Sequence, residues 1–243
     1  ANTEAAEVST AVQVVTKKAV QKAGSVSGMD PAAAIQSATK NAVKGLGQTN
    51  LSAAEVTATL STTVKTVVDS LDEVEGGTAI DLSTVVGQVA TSSIEGLAEL
   101  QQTFINDEEF DLSAATNGIA SGATEGAGEL AAANATLDLG TTIEALSKST
   151  AAALGKLTTD AALLETLSEG VQGQIESEID ELNPTHPELG ITPQTIKELK
   201  AEIKKTMPKS GLSVIYYQSD TDSTLRVFRS IRDSFDQEFG QEV

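Results

Sequence analysis

Apolar residues along most of this chain recur every three or four positions, the spacing that lines one face of an α-helix. Val8, Val12, Val15, Ala19 and Ala23 form the first such stripe and predict a helix over 8–23. Gly24 terminates it, and Lys17, Lys18 and Lys22 lie towards the end where the helix dipole favours cations. Asp30-Pro31, an N-cap residue followed by proline at the first helical position, opens a second helix that runs through Ile35, Ala38, Ala42 and Leu46 to Gly47.

Between residues 51 and 157 one short pattern then returns four times. Leu51-Ser52, Leu82-Ser83, Leu112-Ser113 and Leu139-Gly140 each open a run rich in Ala, Thr, Ser and Gly, and the runs close at Leu71, Leu100, Leu130 and Leu157. The pattern predicts helices over 52–71, 83–104, 113–130 and 140–157, with Ser52, Ser83 and Ser113, or the Asp before the Leu, as N-caps. A period near ~30 residues points to stacked helical units, each too small to bury its apolar face alone. The fixed Trp, Tyr and Pro positions of the familiar helical repeats are missing. Short connections make successive helices antiparallel. Helix 113–130 carries Gly118, Gly122, Gly126 and Gly128; glycine in a helix interior costs about 1 kcal/mol against alanine. Such a helix survives where its smooth face lets another come very close, which makes it the central helix of the array, or else irregular.

A longer helix over 160–182 presents Leu164, Leu167, Val171, Ile175, Ile179 and Leu182 on one face and six acidic residues on the other. Asn183-Pro184-Thr185-His186-Pro187 breaks the pattern, because proline lacks the amide proton and restricts the residue before it. The character changes here. Thr192-Pro193 opens a basic amphipathic helix to about 206, residues 212–218 read as a strand, and a final helix spans 223–239. All three arginines and five of the seven aromatics lie beyond residue 215. The expectation is therefore a mainly α fold: an array of about seven antiparallel helices over 1–183, followed by a small C-terminal α+β appendage over 184–243.

Charge sharpens the picture. The formal net charge is −19, which argues against nucleic acid and against an anionic membrane surface. Residues 1–65 hold six Lys against Glu4, Glu7, Asp30 and Glu55, whereas 66–147 hold 15 Asp and Glu and no Lys or Arg. Opposed ends of this kind predict head-to-tail association between copies. No apolar run approaches the length of a membrane span. The 243 residues include no cysteine, few lysines and many Ser and Thr, a composition that points to an exported protein, and the small polar start Ala1-Asn2-Thr3-Glu4 fits a processed precursor.

Candidate chemistry is thin. The single histidine, His186, lies between two prolines and reads as a loop residue, and the glycines at 118–128 do not follow a phosphate-binding order. Asp107, Glu108, Glu109 and Asp111 form the densest acidic cluster, but without the alternation and central glycine of a calcium loop. Asn50 and Asn134 each begin an N-glycosylation triplet, a pattern that arises by chance in so Ser/Thr-rich a chain. Neither catalytic, cofactor-binding nor metal-ligating residues are assigned. The expected function is that of a non-enzymatic structural protein, secreted or at the cell surface, whose partner is itself and which builds a filament, surface layer or matrix. The lone strand at 212–218 must find a partner for its backbone edge, either a second strand of the same chain in a hairpin or an edge in a neighbouring copy, and the latter would support this reading. A helical binding module with a groove for a small ligand or a protein is the second expectation.

Overall fold

The computed structural model describes residues 2–25, 28–75, 80–104 and 109–207. The strand expected at 212–218, the helix expected at 223–239, and Asp107 and Glu108 lie outside the described residues. Eight α-helices are present among those described: α1 (Asn2–Lys22), α2 (Pro31–Leu46), α3 (Ala53–Asp69), α4 (Leu82–Thr103), α5 (Leu112–Ala133), α6 (Leu139–Leu157), α7 (Ala161–Thr185) and α8 (Pro193–Thr206).

Each helix from α2 onward starts on a side-chain oxygen that accepts an otherwise unpaired amide proton. Ser52 caps α3, and Glu55 returns the bond to the Ser52 amide to complete a capping box. Asp30, Asp81, Asp111, Asp138 and Asp160 cap α2, α4, α5, α6 and α7, and Thr192 caps α8. The Leu-Ser openings are thus not equivalent. Ser52 is a cap, whereas Ser83 and Ser113 sit inside the helix, one residue past a leucine that follows the capping Asp. At the far end of α7, Pro184 is tolerated in the last turn and the helix closes at Thr185, slightly beyond the expected break.

The sequence predicts that successive helices run antiparallel and leaves their stacking order open; in the structure each helix packs chiefly on the second one along. The most extensive packing joins α3 to α5, α4 to α6, α2 to α4 and α5 to α7, so odd helices form one layer and even helices a second. Within a layer the helices run parallel. Gly118, Gly122 and Gly126 of α5 lie against Thr57, Ser61 and Lys65 of α3, in ascending order. In the even layer, Lys40 and Lys44 of α2 meet Glu95 and Glu99 of α4, and Ser83 and Thr91 of α4 meet Thr142 and Ser149 of α6. Between layers direction reverses: Lys200 and Lys204 of α8 meet Asp180 and Glu176 of α7, in descending order. The structural unit is therefore an antiparallel helix pair spanning two sequence periods, stacked on the next pair. Helix α8, expected to belong to a separate module, packs on α6 and takes the next even position.

Small side chains set the spacing within each layer. A Cβ built on Gly122 would collide with the Ser61 carbonyl oxygen, and one on Gly126 would lie 2.8 Å from Val68 Cβ. In the even layer, a Cβ on Gly87 would come within 2.9 Å of the Ala145 carbonyl oxygen, and one on Gly96 within 2.7 Å of that of Lys40. Helix α5 is as enclosed as α4: it packs on α3, α7, α4 and α6 and stays regular throughout. The larger apolar residues, among them Leu60, Val64, Leu97, Ile119, Leu146 and Ile175, fill the space between layers.

This core also buries hydroxyls. Thr39, Ser93, Thr124, Thr142, Ser147 and Thr150 each donate to the carbonyl four residues earlier in their own helix, which satisfies them without a partner helix. The stripe expected on α1 divides: Ala23 is buried, Val8 and Val12 are half-buried, and Val15 and Ala19 face solvent, because no helix lies beyond α1 among the described residues.

The close approach predicts opposite outcomes for two glycines. Gly122→Ala must push α3 from α5 and should cost about 1–3 kcal/mol. Gly173→Ala meets nothing within 4 Å and should gain up to about 1 kcal/mol from helix propensity. Thermal unfolding followed by circular dichroism measures both, and equal melting temperatures for Gly122→Ala and the parent would show that backbone contact does not set the layer spacing.

Candidate functional site

The densest arrangement of charge among the described residues lies where α3, α5 and α7 meet. Lys65 of α3 reaches Asp69 one turn on at 2.9 Å, and across the layer it reaches Glu129 at 2.5 Å and Glu125 at 4.0 Å. Both pairs, Lys65/Asp69 and Glu125/Glu129, are four apart, so the parallel packing of α3 on α5 brings them together. Gly126 lies between the two glutamates and lets Asp69 lean onto α5: its Oδ1 would be 3.1 Å from a Cβ there and has no hydrogen-bond partner. On the α7 side, Glu178 accepts from Ser121 at 2.5 Å and from Gln174 at 2.8 Å.

Burial pushes the Asp69 carboxyl up to about 6, against the pull of Lys65. Burial also raises Glu125; Lys65 opposes this, and repulsion from Glu129, Glu178 and Glu181 adds to the rise. For Glu129 burial acts upward too, but its hydrogen bond and attraction to Lys65 outweigh it and leave the group below the usual glutamate range. Lys65 itself is raised, since its bonds to Glu129 and Asp69 overcome the cost of burial. One cation thus serves three carboxylates, and Asp69 is the one held near the point of taking a proton. The arrangement is a clasp between two helices that can exchange a proton in mildly acid conditions.

The residues singled out in the sequence are dispersed. His186 caps the end of α7 and its Nδ1 lies 3.0 Å from Glu188 Oε1. Asp111 caps α5, and Phe104 and Phe110, on either side of the acidic loop, stack with ring centroids 5.2 Å apart. Asn134 Oδ1 accepts from the Thr136 amide and hydroxyl at 3.1 and 2.7 Å, a local turn. Asn50 is exposed just before the α3 cap. Among the described residues no group of three or more His, Asp or Glu is arranged to hold a metal ion.

Among the described residues, two surface depressions stand out. One of about 540 Å³ runs along the outside of α1, lined by Ala6, Glu7, Thr10, Ala11, Val14 and Val15. The other, about 310 Å³, lies between α6 and α8, with Ile143, Leu199 and Ile203 at its base and Glu144, Glu198 and Glu202 around it. Comparison of the chain with family models, curated proteins and solved structures finds no match.

The raised carboxyl fixes the sign of a pH effect. A carboxyl whose folded pKa exceeds its unfolded one binds more protons when folded, so its contribution to stability falls as pH rises from about 4 to about 6. Asp69→Asn should therefore melt higher than the parent at pH 7, and the gap should close as pH falls towards 4. A gap that widens in acid would mean that the attraction of Lys65 outweighs the burial of Asp69.

Proposed function

We propose that the protein is a non-enzymatic structural component that associates with itself. The observation carrying this reading is the open end of the helical stack. Val15 and Val14 of α1 are 67% and 47% exposed on a helix that, among the described residues, has neighbours on one side only, while α3 to α6 bury most of their valines and leucines. A stacked array stabilises each unit through its neighbours, so a terminal unit without a polar outer face is an attachment point.

Electrostatic attraction between unlike ends supports this less than the sequence implies. The lysines of the first third are largely engaged within the chain: Lys17 with Glu73, Lys22 with Glu75, Lys40 and Lys44 with Glu99, and Lys65 with Asp69 and Glu129. The contact is then chiefly apolar, and the strand expected at 212–218, outside the described residues, would supply a second one through its backbone edge. Assembly of this kind suits a filament, surface layer or matrix outside the cell, in keeping with the cysteine-free, Ser/Thr-rich composition. No helix among the described residues is long and apolar enough to cross a membrane. The groove between α6 and α8 favours the second reading, a binding module whose apolar base of Ile143, Leu199 and Ile203 takes a hydrophobic side chain.

Sedimentation velocity over a wide concentration range, at low and high salt, tests the structural reading. The expected result is concentration-dependent growth beyond the 25.0 kDa monomer at both salt levels. A strictly monomeric protein throughout would overturn it.

A further inference from the structure

Resting on that self-association, we propose that α1 pairs with α1 of a second copy, antiparallel about a twofold axis. Glu7, Ala11, Val14 and Lys18 are all exposed and lie four, three and four residues apart, a straight strip along the outer face of the helix. Val15, Thr10 and Ala6 flank it. The strip has the same spacing read from either end, with charges of opposite sign at its two ends. An antiparallel copy places Glu7 opposite Lys18 of the second copy, Ala11 opposite its Val14, and Thr10 opposite its Val15. Every pair then occurs twice, as a twofold interface requires.

Three observations select this occupant. Glu7 and Lys18 make no ion pair among the described residues, whereas their neighbours Lys17 and Lys22 are held by Glu73 and Glu75. The free pair has opposite sign at opposite ends, so the antiparallel register is attractive and the parallel one would oppose like charges. Ala6 and Ala11 leave the strip smooth, which is the means of close approach that this molecule uses within its own layers. By contrast, the exposed positions of α7, at the other end of the odd layer, include Glu165 and Glu169, which would set carboxylates against Val14 and Val15.

Sedimentation equilibrium of full-length variants tests the pairing, with circular dichroism to confirm that each remains folded. Val14 and Val15 are exposed in the monomer, so Val14→Asp should fold normally and abolish dimerisation. Glu7→Lys and Lys18→Glu each disturb two symmetry-related pairs and should weaken dimerisation roughly tenfold, while the double swap should restore it. Because the chain has no cysteine, mild oxidation of mixed Ala11→Cys and Val14→Cys proteins should give a disulfide-linked heterodimer. Association unaffected by Val14→Asp would overturn this contact and leave self-association standing. A protein that is monomeric at every concentration would overturn both. Protection of the Val14→Cys thiol from a labelling reagent that does not relax on dilution would assign the strip to residues 208–243 of the same chain, and would also overturn the pairing.

Discussion

The structure depends on how closely one helix backbone can approach the next within a layer. Where Gly122 meets Ser61 there is no room for a methyl group, and the same holds where Gly96 meets Lys40 and Gly87 meets Ala145. Large side chains would push helices apart and rotate them into a few crossing angles, with ridges packed into grooves. Small ones allow near-parallel stacking with continuous contact, and the leucines, valines and isoleucines are left to fill the seam between layers. Few aromatics are needed, since dispersion summed over many short contacts does the work that a bulky core does elsewhere. Polar small residues join in because a Thr or Ser hydroxyl can bond to its own helix four residues back and then pack as a methyl-sized group.

The same stacking rule governs charge. Parallel neighbours place residues about two sequence periods apart side by side, so the basic segment 1–65 lies against the acidic middle. Lys40 meets Glu95 and Glu99, and Lys65 meets Glu125 and Glu129. Most of these pairs are exposed, where each is worth little, up to about 1 kcal/mol; their effect is register, since a slip of one turn would bring unlike partners out of reach. The Lys65 clasp differs because Asp69 is half-buried. Gly126 opens the space that lets its carboxylate settle on α5, and the carboxyl rises to about 6 as a result.

Helix positions were readable from the sequence because apolar spacing and capping residues are local signals. Asp30-Pro31, Ser52 with Glu55, and Thr192-Pro193 act in the structure as their types imply. The enclosed position of α5 was readable too, since four glycines in one helix are tolerable only under close contact. Stacking order was not. The ~30-residue period marks single helices, and nothing in it says that each packs chiefly on the second one along rather than on the next. The clasp was missed for the same reason, although two charged pairs of equal spacing, 65/69 and 125/129, carried a signal that becomes visible once parallel packing is known. The stripe on α1 misled in the opposite direction: periodicity reports which face of a helix is apolar, not whether anything covers it.

Among the described residues that face of α1 is uncovered, which gives the array unequal ends. At α7 the exposed residues near the start of the helix include Glu165, Thr166 and Glu169, with Leu163 at 37% exposure beside them. This surface carries two carboxylates and no cation, beside exposed Ala161, Ala162 and Leu163. At α1 the corresponding surface carries Val14 and Val15 between a lone acid and a lone base. An array with one acidic end and one apolar end cannot grow indefinitely by joining the two, because the apolar strip would bury carboxylates without partners. It can join apolar end to apolar end, which by symmetry stops at two copies. On the proposed self-association, larger assemblies would need a further contact elsewhere on the chain, and the stack would act as a spacer whose length follows from the number of helix pairs it holds.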